Sequence, residues 1–369
     1  MMTHRWQYKL GFAAMAVMIA LVTGCSGTGS EKVTVKNPPV RETGGKVELE
    51  RIDRQSDSYG LAWLSDSEII STKAPKWMEG DLYVHSLVKE NDPDRKLGVQ
   101  HALTVNPSPQ QSYLFISNRM EASFLNLADG KETPLDVSDG TYSILNGDVR
   151  GAWVEEKAYV FAAAYGLSVA ETNGKVTPIL KMKDQQSVLK VEAFSDSSDP
   201  NRFAVYFLDS SDALYKLMVS NGQFNRPTAE SDPELIRKNI ADFSISPDGT
   251  NLALVEETGD NKNTVYLIPA DKPGKETKLA EGRLARQMSW SPDGSKLAYS
   301  LFNLERGGSG LYVMDTKTGH MTLVSLYPNL QSLLVWSPDG NQLMMSQENP
   351  EMNLTTTDTK LMTEIYRFK

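Results

Sequence analysis

The side chains that most often carry catalysis or bind metals are few and scattered in this chain. Its 369 residues include four histidines and one cysteine. His85, His101 and His320 lie too far apart to form an HExxH motif or another paired-ligand helix. A lone histidine is more often a surface or core residue than a ligand. The sequence therefore predicts no metal site and no cofactor.

A glycine cluster at residues 307–310 is the nearest approach to a catalytic motif. It differs from a nucleophile elbow because Leu311 stands where a second glycine is needed, and a strand rather than a helix is expected to follow. No glycine-rich phosphate loop opens a helix elsewhere, and no long helix is predicted. We interpret the cluster as a loop and assign no catalytic residue.

A recurring turn is far more regular than any candidate for chemistry. Ser-Pro-Asp-Gly occurs three times, with its prolines at 247, 292 and 338, and each copy is flanked by apolar runs. Proline presets φ for a type I turn, aspartate suits the next position and glycine accepts a positive φ. Aspartates in such turns also occur in calcium sites and in the aspartate box of sialidases, but local backbone hydrogen bonding accounts for them here. Each copy predicts a β-hairpin.

Weaker copies of this hairpin extend towards the N-terminus, at residues 63–70, 105–115, 144–160 and 188–207. A second motif, a short apolar strand that usually contains tyrosine, alternates with the hairpins at intervals of 42 to 54 residues. Its central residues are Tyr83, Leu125, Ser168, Tyr215, Tyr266, Tyr312 and Tyr366. A polar turn and one more strand-like run follow most copies, so each unit has four strands. Repeats of 40 to 50 residues with four strands are typical of β-propellers.

The sequence thus predicts an all-β fold, a seven-bladed β-propeller of four-stranded antiparallel blades. The last unit ends after its third strand, whereas residues 46–52 alternate in polarity upstream of the first hairpin. We expect this N-terminal strand to complete the last blade and to close the ring without an exposed edge. A β-sandwich, or six or eight blades, remains an alternative at this stage.

The N-terminus has the features of a targeting segment. Basic residues precede an apolar run at residues 10–21, which is too short for the roughly 20 residues that span a bilayer. The run ends at Val-Thr-Gly-Cys25, which resembles a bacterial lipobox. We expect residues 1–24 to be a lipoprotein signal peptide, residues 25–45 the lipidated Cys25 with a flexible tether, and residues 46–369 the propeller. A secretory peptide with an incidental cysteine is the alternative.

Lipidation at Cys25 predicts a membrane-anchored protein on the extracytoplasmic face, because several acyl chains anchor stably where one is marginal. Removal of residues 1–24 would take away Arg5 and Lys9, so the formal charge of −9 would become −11. An acidic chain gains nothing from counterion release, so no nucleic-acid partner is expected. We expect a monomer that binds the membrane through its anchor.

Loops offer the best candidates for partner contacts. In a propeller, the loops between second and third strands and those between blades gather at one mouth of the channel. Exposed tryptophan and arginine dominate binding hot spots, and such residues lie in these loops or just before inner strands. The candidate partner-binding residues are Trp77, Arg119, Arg237, Arg283, Arg286 and Arg306. A long polar insertion at residues 347–361 is expected to add a further loop.

The hairpins at residues 290–299 and 336–345 resemble the Trp-Ser-Pro-Asp-Gly repeat of TolB-type propellers, which are relatives of WD-repeat proteins. The resemblance is fair at residues 245–255 and weak in the first four blades. It implies binding of a protein or peptide partner at the propeller face, usually without catalysis. Joined to a lipobox, the propeller is similar to lipoproteins of Gram-positive bacteria.

Two functions remain open from the sequence. The first is a non-catalytic protein or peptide interaction module, and the second is a propeller enzyme or small-ligand binder that acts on cell-envelope sugars or peptides. Three or more convergent Asp, Glu or His side chains at the channel mouth would favour the enzyme. An apolar face that bears arginines would favour partner binding.

Overall fold

The computed structural model describes residues 47–74, 80–88, 93–100, 104–118, 121–136, 149–163, 166–182, 186–196, 199–221, 227–259, 261–271, 274–303, 308–326, 329–330, 332–350 and 359–369. All regular elements in these ranges are β-strands. Within them, no helix has the length and apolar character needed to cross a bilayer.

The strands form seven antiparallel sheets that follow one another along the chain. Blade 1 contains β2 (Tyr59–Ser65), β3 (Glu68–Thr72), β4 (Asp81–Ser86) and β5 (Arg95–Gln100). Blade 2 contains β6 (Thr104–Pro107), β7 (Tyr113–Ser117), β8 (Ala122–Asn126) and β9 (Glu132–Pro134). Blade 3 contains β10 (Ala152–Val154), β11 (Ala158–Ala163), β12 (Gly166–Glu171) and β13 (Val176–Lys181).

Blade 4 contains β14 (Val188–Ser195), β15 (Arg202–Asp209), β16 (Leu214–Asn221), β17 (Pro227–Ala229) and β18 (Glu234–Arg237). Blade 5 contains β19 (Ile240–Ile245), β20 (Asn251–Gly259), β21 (Lys262–Pro269) and β22 (Thr277–Gly282). Blade 6 contains β23 (Leu284–Trp290), β24 (Lys296–Phe302), β25 (Gly310–Asp315) and β26 (Met321–Ser325). Blade 7 contains β27 (Leu334–Trp336), β28 (Gln342–Pro350), β29 (Thr359–Phe368) and β1 (Leu49–Ser56).

The predicted closure of the ring is confirmed. β1 pairs antiparallel with β29 as the outer strand of blade 7, with Ile52 opposite Tyr366. Ion pairs fasten this seam, since Arg54 Nε donates to Glu364 Oε1 at 2.9 Å and Arg367 Nε to Asp53 Oδ2 at 2.5 Å. The strand begins at Leu49 and continues to Ser56, later than the predicted 46–52, because pairing with β29 rather than polarity sets its limits.

Blade 4 departs from the four-strand plan in its outer strand. β17 pairs with the end of β16 and β18 with its beginning, so the fourth strand is split into two segments. Pro233 lies between the two segments and has no N–H for a ladder. The predicted loop at residues 347–361 is also partly wrong, because β28 and β29 pair as far as Pro350 and Thr359.

The Ser-Pro-Asp-Gly turns have the predicted geometry. In the copy at 291–294, the Gly294 N–H donates to the Ser291 carbonyl at 2.9 Å and Gly294 has φ of +69°. Ser291 Oγ donates to Asp293 Oδ1 at 2.6 Å and accepts from the Lys296 N–H at 2.9 Å. Serine and aspartate thus hold the turn from inside, and the other two copies repeat this pattern.

The core is a set of layers between blades rather than one central cluster. Each of the seven blade interfaces holds a cluster of buried apolar side chains in the described ranges. Four interfaces also share a latch, in which an indole N–H on the first strand donates to a carbonyl on the first strand of the previous blade. The pairs are Trp63 with Val335, Trp153 with Asn106, Trp290 with Ser244 and Trp336 with Ser289. First strands therefore lie innermost and contact one another around the axis.

Candidate binding site at the channel mouth

The first strands of blades 3 to 7 enclose a cavity of about 570 Å³ at the centre of the ring. Ligand pockets in proteins commonly measure roughly 300–1,000 Å³. Its charged lining residues are Arg150, Lys190, Glu192, Asp242 and Arg286. Arg150, Lys190, Asp242 and Arg286 stand before or near the start of their strands, the end where the loops between blades enter, whereas Glu192 lies in the middle of β14. Ile245, Pro247 and Trp290 extend the lining to the other ends of β19 and β23. Most of the charged groups thus lie towards the mouth that the sequence predicts for partner contacts.

Arg150 brings a guanidinium to the cavity from blade 3. Its Nη2 donates to Asn106 Oδ1 of blade 2 at 2.8 Å, and no carboxylate of the described residues forms an ion pair with it. Asn106 is itself held by the Gly151 carbonyl, to which its Nδ2 donates at 3.1 Å. Burial lowers the pKa of Arg150, because it removes water from around the cation.

Arg286 brings a second guanidinium from blade 6. Its Nη1 donates to the Ala285 carbonyl at 2.9 Å and lies 3.3 Å from Asn263 Oδ1. Its nearest carboxylate oxygen, Oε1 of the half-exposed Glu257, is 3.8 Å away, near the limit of an ion pair. A side chain placed in this way keeps N–H groups free for a ligand.

Lys190 is the third cation, but it is neutralised within the protein. Its Nζ donates to Asp242 Oδ1 at 2.8 Å and lies 3.4 Å from Glu192 Oε1. Burial would lower the pKa of Lys190, but the two carboxylates raise it further than burial lowers it. Burial raises the pKa of Glu192, even though that carboxylate accepts from the Ile245 N–H at 2.6 Å.

Register shifts place these charged residues at the cavity. β14 shifts between Val188 and Lys190, β19 between Ile240 and Asp242, and β23 between Arg286 and Ser289. β-Bulges re-aim side chains and are common beside functional sites. In β23 the shift includes Gln287, a non-glycine residue with φ of +64°. Its side chain donates to the Asn329 carbonyl at 2.5 Å and accepts from Ser300 Oγ at 2.6 Å, which offsets the strain.

Apolar side chains share the cavity with the charges. Leu189, Leu330 and Leu333 line it, and Leu189 and Leu333 are 47% and 48% exposed. Half-exposed leucines beside guanidinium groups form a surface with both apolar and cationic character. Among the residues whose positions are described, no group of three or more His, Cys, Asp or Glu could hold a metal ion.

The structure separates the six predicted partner-binding residues. Arg286 lines the cavity. Arg283 is exposed just before β23. Arg237 lies between blades 4 and 5, where Nη2 is 2.9 Å from Glu256 Oε2 and the guanidinium stacks over Tyr266 at 5.5 Å.

The other predicted site residues lie outside the part of the chain that the structure describes. These are Trp77, Arg119, Arg306 and the lipidation site Cys25. Their roles stay predictions, as do those of Arg237, Arg283 and Arg286.

Sequence reasoning missed Arg150, Lys190, Glu192 and Asp242. A usable signal was present for two of them, since Lys190 and Asp242 interrupt apolar runs at the start of inner strands. A charge in such a run marks either a bulge or a buried ion pair, and here it marks both.

Comparison with known proteins supports the fold, but the sequence matches cover only a small part of each relative. No family model matches the chain. Part of the chain is 36% identical over 86 residues to the Tol-Pal system protein TolB of Xylella fastidiosa (strain M12), which is 22% of this chain and 19% of that protein. TolB of Alcanivorax borkumensis is 30% identical over 99 residues, or 26% of this chain and 23% of that protein.

A protein of Bacillus subtilis (strain 168) named uncharacterized peptidase YuxL is 28% identical over 113 residues, 29% of this chain and 17% of that protein. The chain thus spans about a fifth of the length of the curated relatives it matches.

Two solved structures share the overall fold at low sequence identity. An oligogalacturonate lyase in complex with manganese aligns with a TM-score of 0.50 and 11% identity, over 86% of this chain and 98% of that chain. A chain of the mitotic checkpoint complex aligns with a TM-score of 0.50 and 12% identity, over 94% and 99% of the two chains. Likeness at this identity concerns the fold alone. The chain is thus a seven-bladed β-propeller, and part of its sequence is similar to TolB.

Proposed function

We propose that this protein is a lipid-anchored, extracytoplasmic propeller that binds a protein or peptide partner at its channel mouth without catalysing a reaction. The observation that carries the proposal is the lining of the cavity, where Arg150 and Arg286 stand beside half-exposed leucines. Arginine is enriched in binding hot spots, and concave, partly apolar surfaces with a few polar groups are typical of binding sites. The TolB relatives belong by name to a system of several proteins, which fits a binding role.

The anchor is supported by the sequence around Cys25. Basic residues, a short apolar run and Val-Thr-Gly-Cys occur in the order that lipoprotein signal peptides use. Two or more acyl chains would hold the propeller at the membrane, because each buried methylene contributes about 0.8 kcal/mol. Residues 26–45, which are rich in glycine and proline, would let the binding face reach a partner.

The anchor can be tested with Cys25→Ser in cells fed a labelled fatty acid. The wild type is expected to carry label and to sediment with membranes, whereas the variant carries none and is recovered in the soluble fraction. Label on the variant, or equal sedimentation of both proteins after carbonate washing, would contradict anchoring at this residue.

The binding role can be tested by crosslinking in intact cells and capture of the tagged, full-length protein. We expect reproducible recovery of at least one protein with the wild type and with Arg95→Gln, since Arg95 is exposed on the outer strand of blade 1. Recovery should fall with Leu333→Asp, which changes the mouth without removing an arginine. Absence of any reproducible partner would contradict the interaction role.

A further inference from the structure

We propose that the channel cavity is a carboxylate-binding site for an acidic peptide segment of the partner, with Arg150 and Arg286 as the groups that receive the carboxylate. This inference rests on the proposed function and names the chemistry of the ligand at the same site. Lys190 contributes less, because Asp242 and Glu192 already neutralise it.

The charge of the cavity differs in sign from that of the chain. The full sequence has a formal charge of −9, whereas three cations and two carboxylates line the cavity. Lys190 is paired with both carboxylates, so these three groups together carry one formal negative charge, and the two guanidiniums bring the cavity to a net formal charge of +1. A positive cavity in an acidic protein attracts anions against the overall field, and low-dielectric walls strengthen the local effect.

The two guanidiniums also have donors to spare. Each carries five N–H groups in a planar fork that matches a carboxylate. Arg150 uses one fork nitrogen on Asn106, and Arg286 uses Nη1 on the Ala285 carbonyl and Asn263. Arg150 has no carboxylate partner among the described residues, and Arg286 has only a distant one. Removing water from a cation is costly, and an incoming carboxylate would offset that cost.

The positions of the two arginines suit a ligand that enters the channel. Arg150 precedes the first strand of blade 3, and Arg286 lies in the first strand of blade 6. Two blades separate these strands on one side of the ring and three on the other, so the arginines approach from nearly opposite sides of the axis. Both side chains are held before binding, by Asn106 on one side and by Asn263 with the β23 bulge on the other. Pre-organised donors lower the ordering cost of binding.

The leucines in the cavity favour a peptide ligand over a small free carboxylate. Leu189, Leu330 and Leu333 belong to blades 4 and 7 and lie in the same cavity as the arginines. A small dicarboxylate would leave these side chains uncovered. A glutamate or aspartate flanked by apolar residues would satisfy a guanidinium and cover the leucines together.

The inference is tested by calorimetric titration of the full-length protein in detergent with synthetic peptides. The probe is a capped peptide with Leu-Glu-Leu between Gly-Ser flanks, and its matched control has Leu-Gln-Leu. We expect the glutamyl peptide to bind at least about tenfold more tightly, since hydrogen bonds to a charged carboxylate are stronger than those to a neutral amide. This preference should shrink at high salt.

Variants test whether the preference for the glutamyl peptide depends on Arg150 and Arg286. Arg286→Gln and Arg150→Gln should each remove most of the preference for the glutamyl peptide, whereas Arg95→Gln should keep it. Arg286→Lys keeps the charge but loses the fork, so it should restore part of the preference. Melting temperatures identify any variant that fails to fold.

Equal affinity for the two peptides, absence of binding by both, or a preference that survives Arg150→Gln and Arg286→Gln would overturn the proposal. Succinate that binds as tightly as the glutamyl peptide would overturn the peptide assignment in favour of a free carboxylate. The two proposals fail separately: partner capture that persists in Arg150→Gln and Arg286→Gln leaves the binding role intact and removes only the carboxylate site.

Discussion

Two interfaces of the ring, between blades 4 and 5 and between blades 6 and 7, are joined by different kinds of contact. At blades 6 and 7, Trp336 Nε1 donates to the Ser289 carbonyl at 3.1 Å over an apolar layer. At blades 4 and 5, Lys190 and Glu192 reach Asp242 and the Ile245 N–H instead. Trp336 joins two blades and is not among the residues that line the cavity. The ionic cluster joins blades and also lines the cavity.

The difference indicates that part of the ring is specialised. Asp242 accepts from Lys190 in blade 4 and, through Oδ2, from the Met288 N–H in blade 6 at 3.1 Å, so one carboxylate connects three blades. Its side chain is 11% exposed and that of Lys190 is 28% exposed. Replacing a buried ion pair with apolar residues is often neutral or stabilising. Retention of charge here fits a role in shaping the cavity rather than in stability.

The largest expected effect comes from breaking the ionic cluster. Asp242→Ala leaves Lys190 without its closest carboxylate and the Met288 N–H without an acceptor, so the free energy of unfolding should fall by about 3 kcal/mol. Urea unfolding monitored by fluorescence measures it. Asp232→Ala, at an exposed aspartate, is the control and should change stability by less than about 0.5 kcal/mol. Equal losses in the two variants would contradict the role given to Asp242.

A smaller loss is expected from the tryptophan latch. Trp336→Phe keeps an aromatic ring against Phe368 but leaves the Ser289 carbonyl without its donor. Stability should fall by about 1–2 kcal/mol in the same urea assay. The loss should not depend on salt, because no charge is involved. A loss as large as that of Asp242→Ala would remove the distinction between the two interfaces.

Substitution of Gly294, in the turn between β23 and β24, tests the effect of backbone conformation without a steric clash. A Cβ added at Gly294 would meet only Pro247 Cδ, at 3.7 Å, so Gly294→Ala should cost about 1 kcal/mol through its φ of +69°. Gly274→Ala is the matched control, because a Cβ there meets nothing and φ is not positive. That variant should be neutral or slightly stabilising by thermal unfolding. Similar melting temperatures for both variants would contradict the left-handed turn.

The smallest effects are opposite responses to acid. At Asp293, partial burial would raise the pKa, but hydrogen bonds from Ser291 and Ser295 lower it below its usual 3.8. Its contribution to stability is therefore present above 3.8 and is lost as pH falls through the lowered value. Burial raises the pKa of Glu192 above its usual 4.5, so its contribution is present below 4.5 and is lost as pH rises through the raised value.

Unfolding free energies measured across acidic pH should separate the two groups. Asp293→Asn should flatten the loss of stability towards low pH by a few tenths of a kcal/mol, because the turn is exposed. Glu192→Gln should flatten the change of stability above pH 4.5, in the opposite sense. Changes of the same sign in both variants would contradict the assigned pKa shifts.

The regular parts of the ring could be predicted because their signals are local. Ser-Pro-Asp-Gly sets its own dihedral angles and hydrogen bonds within six residues, as the contacts of Ser291 with Asp293 and Lys296 show. The closure by β1 followed from one missing strand in the last blade. The loop predicted at residues 347–361 was partly wrong because hairpin backbone pairing can continue without an apolar face.

Most of the charged residues that line the cavity could not be predicted from the sequence. The β-bulges that aim Lys190, Asp242 and Arg286 arise from pairing within each sheet, which alternation of polarity does not reveal. Arg150 stands outside its strand and becomes a lining residue only when blades 2 and 3 meet at Asn106. Arg237 was selected for its position before an inner strand, but its place between Glu256 and Tyr266 depends on the split outer strand of blade 4.

The most direct test of the account is photocrosslinking from the mouth of the channel in intact cells. A photoreactive amino acid is placed at Leu333, which lines the cavity, or at Leu323, which lies on the outer strand of blade 6; the two leucines are 48% and 41% exposed. We predict one reproducible crosslinked protein from Leu333, weakened by Arg286→Gln, and none from Leu323. The same crosslinks from both positions, or crosslinks from Leu323 alone, would contradict a binding site at the channel mouth.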